Sequence, residues 1–106
     1  MTSASTAPSF PAIPEAVRRL VARLGAEPSV KRVILFGSRA RGDAHPRSDV
    51  DLAVEAPGAS ARDWLRLADM AEDADTLLSI DMVRLEEAPE ALRKRILVEG
   101  RTLHER

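Results

Sequence analysis

Short apolar runs and one strict alternation set the pattern of this chain. Val33-Ile34-Leu35-Phe36 is apolar at every position and is bounded by Gly37. A run this short, β-branched and aromatic, predicts a buried strand over residues 31–36. Asp49-Val50-Asp51-Leu52-Ala53-Val54 alternates instead. Side chains on a strand point to opposite faces with period two, so Val50, Leu52 and Val54 face a core while Asp49 and Asp51 share the other face. Residues 77–85 form a third strand of the same parity, with Leu78, Ile80 and Met82 on one face and Ser79, Asp81 and Val83 on the other.

Helical patterns surround the strands. Ile13, Val17, Leu20, Val21 and Leu24 make one stripe over residues 14–24, with Pro14 at the first position and Gly25 as the stop. Residues 38–42 predict a short helix with Ser38 as its N-cap, followed by a loop at 43–48. Pro57-Gly58 marks a turn, and a long helix runs from Ser60 to about Ala74. Ser60 and Asp63 have the spacing of a capping box, and Trp64, Leu67, Ala68 and Ala71 share a face, which makes Trp64 a core or interface anchor. After Glu86-Glu87 a last helix begins near Pro89, packs through Leu92 and Ile96, and stops at Gly100. Its Arg93, Lys94 and Arg95 read as a solvated face. Residues 101–106 read as a short tail in which Leu103 tucks back and His104 stays at the surface.

The polar positions of this pattern carry the candidate chemistry. Asp49 and Asp51, about 7 Å apart along one strand face, are like charges that repel each other. Hard divalent cations such as Mg²⁺ relieve that repulsion. Gly37-Ser38, between a strand and a helix start, offers free backbone N–H groups of the kind that bind phosphate, and Arg39 and Arg41 add positive charge. Ser48 either hydrogen-bonds a phosphate or caps the start of the second strand. Asp81 is a lone carboxylate in the apolar run LLSIDMV, costly there unless paired or metal-bound, and it joins Asp49 and Asp51 if the strands are neighbours. His45, beside Pro46 in the loop, reads as solvated.

Gly37-Ser38, ten residues, then Asp49-Val50-Asp51 resembles the signature of the polymerase-β-like nucleotidyltransferase superfamily. The fuller string, GSRARG followed by SDVDL, is similar to its minimal nucleotidyltransferase (MNT) branch. The resemblance implies an α/β (α+β) fold: a small mixed sheet of three to four strands with helices packed on one face. It implies Asp49, Asp51 and Asp81 as catalytic residues and ligands of two Mg²⁺ ions, roughly 3.5–4 Å apart in sites of this type. It implies Gly37, Ser38, Arg39 and Arg41 as holders of the nucleotide phosphates, with ATP as substrate. Larger superfamily members carry a second domain, for which this chain has no room, so a partner or a second copy would finish the acceptor site. The partner implied is a HEPN-domain toxin, adenylylated on tyrosine by its antitoxin. Two other readings stay open: a non-catalytic antitoxin that blocks its partner sterically, and an antibiotic-modifying nucleotidyltransferase, which the missing domain disfavours.

Composition narrows these possibilities. At 106 residues the chain is one small domain, expected over 13–106 after a disordered arm at 1–12 in which Phe10 could dock. A net charge of −1 argues against bulk electrostatic binding of nucleic acid, and no direct nucleic-acid contact is expected. The absence of cysteine excludes disulfides and thiolate zinc sites. No run suits a membrane span or a signal peptide, so a cytoplasmic protein is the expectation.

Overall fold

A computed structural model of the chain describes residues 13–106; the expected N-terminal arm, Phe10 included, lies outside the described residues. Helix α1 (Glu15–Gly25) precedes strand β1 (Arg32–Phe36), the short helix α2 (Ser38–Arg41) and strand β2 (Val50–Glu55). Helix α3 (Ala61–Glu72), strand β3 (Ile80–Arg84), a 3₁₀ turn at Leu85–Glu87, helix α4 (Glu90–Glu99) and strand β4 (Arg101–Glu105) follow. The strands form one sheet in the order β3-β2-β1-β4. β1 is antiparallel to both β2 and β4, whereas β2 and β3 run parallel. A parallel pair needs a crossover, and α3 supplies it.

Parity decides the packing. Val33 and Leu35 of β1, with Val50, Leu52 and Val54 of β2, are fully buried against Val17, Leu20 and Leu24 of α1 and Leu67 of α3. The capping box that opens α3 is present in both directions, Ser60 Oγ accepting from the Asp63 N–H and Asp63 accepting from the Ser60 N–H. Trp64 packs against this core, with the Arg84 guanidinium 5.8 Å from its ring centroid. The opposite parity makes a smaller cluster, in which Ile34, Ala53, Leu85 and Ile96 are joined by Phe36, Val83 and Leu92. The mixed sheet is the one expected, but the helices do not all share one face: α1 and α3 cover one and α4 the other, because β1 and β2 carry apolar side chains at both parities. Fully burying one aliphatic side chain stabilises by about 1.5–3 kcal/mol, so the single buried Ile96 is the main apolar anchor of α4.

The chain end corrects the sequence reading. Residues 101–106 are not a tail, because β4 pairs with β1 with a bulge at Val33/Ile34. The cause lies in β1, which is apolar on both faces and sits inside the sheet between β2 and β4. Arg106 locks the strand, donating to the carbonyls of Val30, Gly25 and Glu27 at 3.1, 2.9 and 3.1 Å. His104 is likewise not a free surface residue: its Nε2 is buried without a partner, and its ring lies against Gly25. Gly25 therefore allows a close approach of β4 as well as ending α1.

Candidate active site

The site begins where β1 ends. Gly37 turns the chain into α2 at φ 77° and ψ −157°, a conformation that side chains other than glycine's rarely adopt. Gly37, not Ser38, is the N-cap residue; Ser38 is the first helical residue, and no side chain caps α2. The glycine has a second reason. Register pairs Phe36 with Asp51, and the Asp51 carboxylate occupies the space that a Cβ on Gly37 would need.

The next register places the third carboxylate. Asp51 lies opposite Asp81 on the parallel strands β2 and β3, about one strand spacing away. Asp49 stands one residue before β2, exposed, on the same side. Asp51 is half-buried, and its pKa is raised by burial first, then by Asp81 and Asp49, with Arg41 opposing. Hard oxygen donors gathered on one face fit Mg²⁺ chemically. In the conformation seen, no three acidic or imidazole groups among the described residues close around one point.

A cavity of about 360 Å³ opens beside Asp51. Phe36, Gly37, Ser38 and Arg41 form one side, and Leu92, Arg95 and Glu99 of α4 form the other. Gly100 brings this wall in, since it packs against Ile34 and the Leu35 carbonyl of β1. Glu99 then reaches Arg41 at 3.6 Å, and Arg41 also meets Asp43 at 3.3 Å. Asp81 borders a different cavity, about 460 Å³, between α3 and the open edge of β3, lined by Ala71, Leu78, Ile80 and Met82. Ile80 and Met82 face α3, whereas Asp81 shares the face of Asp51, so the cavity beside Asp51 is the one that the carboxylate face borders. A further hollow of about 480 Å³ between α1 and β4 has no acidic side chain in its lining and lies apart from the aspartates.

The remaining sequence candidates have other duties. Arg39 is buried, 7% exposed, and points away from the cavity. Its Nε and one terminal nitrogen donate to the Ser48 carbonyl at 3.1 and 2.9 Å, and the same terminal nitrogen donates to the Pro46 carbonyl at 3.0 Å. Arg39 therefore holds the loop that leads into Asp49 and is not placed to meet phosphate. The Ser48 hydroxyl accepts from the His45 N–H at 2.8 Å, and the Ser48 N–H donates to the His45 carbonyl at 3.0 Å, so Ser48 closes that loop. His45 is exposed. Sequence reasoning missed Arg95 and Glu99; their four-residue spacing on one helix was the available signal.

These features can be set beside known proteins. The family described as "Polymerase beta, Nucleotidyltransferase" matches residues 19–106. A solved structure described as a minimal nucleotidyltransferase is 33% identical, with a TM-score of 0.62 over 81% of this chain and 88% of that one. A toxin–antitoxin structure with AMP-PNP is 26% identical, with a TM-score of 0.64 over 86% of this chain and 72% of that one. A complex of tri-AMPylated HEPN toxin and MNT antitoxin from Shewanella oneidensis shares the fold, at 23% identity and a TM-score of 0.57 over 85% of this chain and 67% of that one. No curated protein matches the sequence. With its strand–Gly-Ser–helix turn, its carboxylates in register and this family match over most of its length, the chain belongs to the polymerase-β nucleotidyltransferase family.

Proposed function

We propose that this chain transfers AMP from ATP to a hydroxyl, that of a tyrosine, on a HEPN-type toxin and so acts as the antitoxin of the pair. The observation that carries the reading is the Asp51–Asp81 register beside Gly37-Ser38, with a cavity opening beside Asp51. ATP would lie in the cavity between α2 and α4, with the acceptor hydroxyl entering from the β3 side. The hydroxyl oxygen attacks the α-phosphorus, the bond to the bridging oxygen of the β-phosphate breaks, and pyrophosphate leaves. Asp81, on the acceptor side, takes the hydroxyl proton. The backbone at Gly37 and Ser38 and the Ser38 hydroxyl hold the β- and γ-phosphates, and Arg41 stabilises charge on the leaving pyrophosphate. Asp49, Asp51 and Asp81 would hold Mg²⁺, which neutralises phosphate charge and activates the attacking hydroxyl when bound.

The acceptor is inferred from structural neighbours: a toxin–antitoxin structure with AMP-PNP, and a complex in which an MNT antitoxin sits with a tri-AMPylated HEPN toxin. No base-reading residue stands out among the described residues, so ATP enters the proposal from those neighbours as well. The test supplies α-labelled ATP and Mg²⁺ to this chain co-purified with a HEPN-type toxin partner. Wild type should label the partner, whereas Asp49→Ala/Asp51→Ala should leave it unlabelled. A tight complex that never acquires label contradicts transfer and favours steric inhibition. Label on an aminoglycoside without any protein partner favours the small-molecule reading.

A further inference from the structure

We propose that Arg95 binds the β- and γ-phosphates of the incoming nucleotide; this rests on the nucleotidyl-transfer reading above. A nucleoside triphosphate is a polyanion, and it would enter a cavity already bordered by Asp51 and Glu99. It needs a cation that can turn toward it. Arg39 does not qualify, because it is buried outside the cavity lining, with its Nε and one terminal nitrogen held by the Ser48 and Pro46 carbonyls. Arg41 faces the cavity but is shared between Asp43 and Glu99.

Arg95 lines the same cavity from the opposite wall. No hydrogen bond or ion pair engages its guanidinium among the described residues. It stands one helical turn before Glu99, on the face of α4 whose next turn reaches Arg41. Its neighbour Lys94 pairs with Glu90 at 3.7 Å, and Arg93 is exposed and lies outside the cavity lining. Buried Ile96, the next residue, fixes α4 on the sheet and so fixes where the Arg95 side chain begins. The planar guanidinium can donate two parallel hydrogen bonds to phosphate oxygens, a geometry that lysine's ammonium cannot reproduce. α4 thereby becomes the second wall of the triphosphate site, with one cation free for phosphate and one acid holding Arg41.

The test is equilibrium binding of ATP and of AMP, with Mg²⁺, to wild type, Arg95→Ala, Arg95→Lys and Arg93→Ala. Loss of a charge-assisted pair should weaken ATP binding by about tenfold to a hundredfold in Arg95→Ala. AMP, lacking the β- and γ-phosphates, should bind that variant as it binds wild type. Arg95→Lys should recover part of the loss, and Arg93→Ala should match wild type. Unchanged ATP binding in Arg95→Ala overturns the inference and leaves the functional reading intact. So does equal weakening of ATP and AMP, or equal weakening by Arg93→Ala, which would mean general damage or diffuse charge. A wild-type chain that binds neither nucleotide overturns the functional reading itself.

Discussion

Replacing Arg39 tests how the second strand is aimed at the site. Arg39 is 7% exposed and has no carboxylate partner among the described residues. It is held by two loop carbonyls, those of Ser48 and Pro46, at 2.9–3.1 Å. Ser48 is followed at once by Asp49, so this clamp sets where the first carboxylate begins. Arg39→Met keeps much of the stem and removes the donors. A hydrogen bond to a charged group contributes about 1.5–3 kcal/mol net, and two acceptors lose their partner. The loop is partly exposed and water can serve it, which places the loss near the low end, about 3 kcal/mol. For a domain of this size that lowers the melting temperature by roughly 12–24 °C. Arg39→Lys, with one compact donor in place of the fork, should fall between. Scanning calorimetry gives the stability, and single-turnover kinetics with saturating ATP give the chemistry. The expected signature below the transition is a depressed kcat with ATP affinity retained, because Arg39 positions Asp49 without touching nucleotide. A variant that melts within a few degrees of wild type and turns over normally would refute the clamp; lost ATP affinity at normal stability would instead mean that Arg39 meets phosphate.

Other substitutions probe the same construction. Gly37→Ala should cost about 1–3 kcal/mol from its backbone conformation alone, more because Asp51 must move, and should weaken ATP binding along with the melting temperature. Asp51 has a raised pKa, so the folded state holds its proton more tightly than the unfolded state; stability is fully present below the ordinary carboxylate range and is lost as pH rises through the folded value. Asp51→Asn should therefore melt above wild type at neutral pH, with the two converging in acid, and Mg²⁺ should raise the wild-type melting temperature but not the variant's. Gly25→Ala would put a Cβ 2.7 Å from the His104 ring, so it should destabilise by about 1–3 kcal/mol and speed hydrogen exchange in β4.

Much of this arrangement was legible in the residues, and the rest has physical reasons for having been hidden. The alternation at Val50, Leu52 and Val54 announced which face is core, and all three are fully buried. The parity that separated Asp81 from Ile80 and Met82 is the one that places it opposite Asp51. The Ser60–Asp63 box was readable because capping is local. β4 was missed because Arg101–Glu105 offers one apolar residue, Leu103, and is held by backbone pairing to β1 and by the long reach of Arg106. The burial of Arg39 depends on a loop folding back over it, and no periodicity reports that. Arg95 and Glu99 were hidden because the polar wall of a cavity and a solvated helix face have the same composition. On α4 the blur is greater still, since Leu97 and Val98 are 51% and 83% exposed.

The central claim is that Asp49, Asp51 and Asp81, beside Gly37-Ser38, form a metal–nucleotide site. The most direct measurement is anomalous diffraction from crystals of the wild-type chain grown with Mn²⁺ and a non-hydrolysable ATP analogue. The account predicts two Mn²⁺ peaks, roughly 3.5–4 Å apart, bound to the three aspartates, with the triphosphate running from them past Gly37 and Ser38 toward α4. Analogue bound elsewhere, or no anomalous peak at these carboxylates with the nucleotide present, would contradict it.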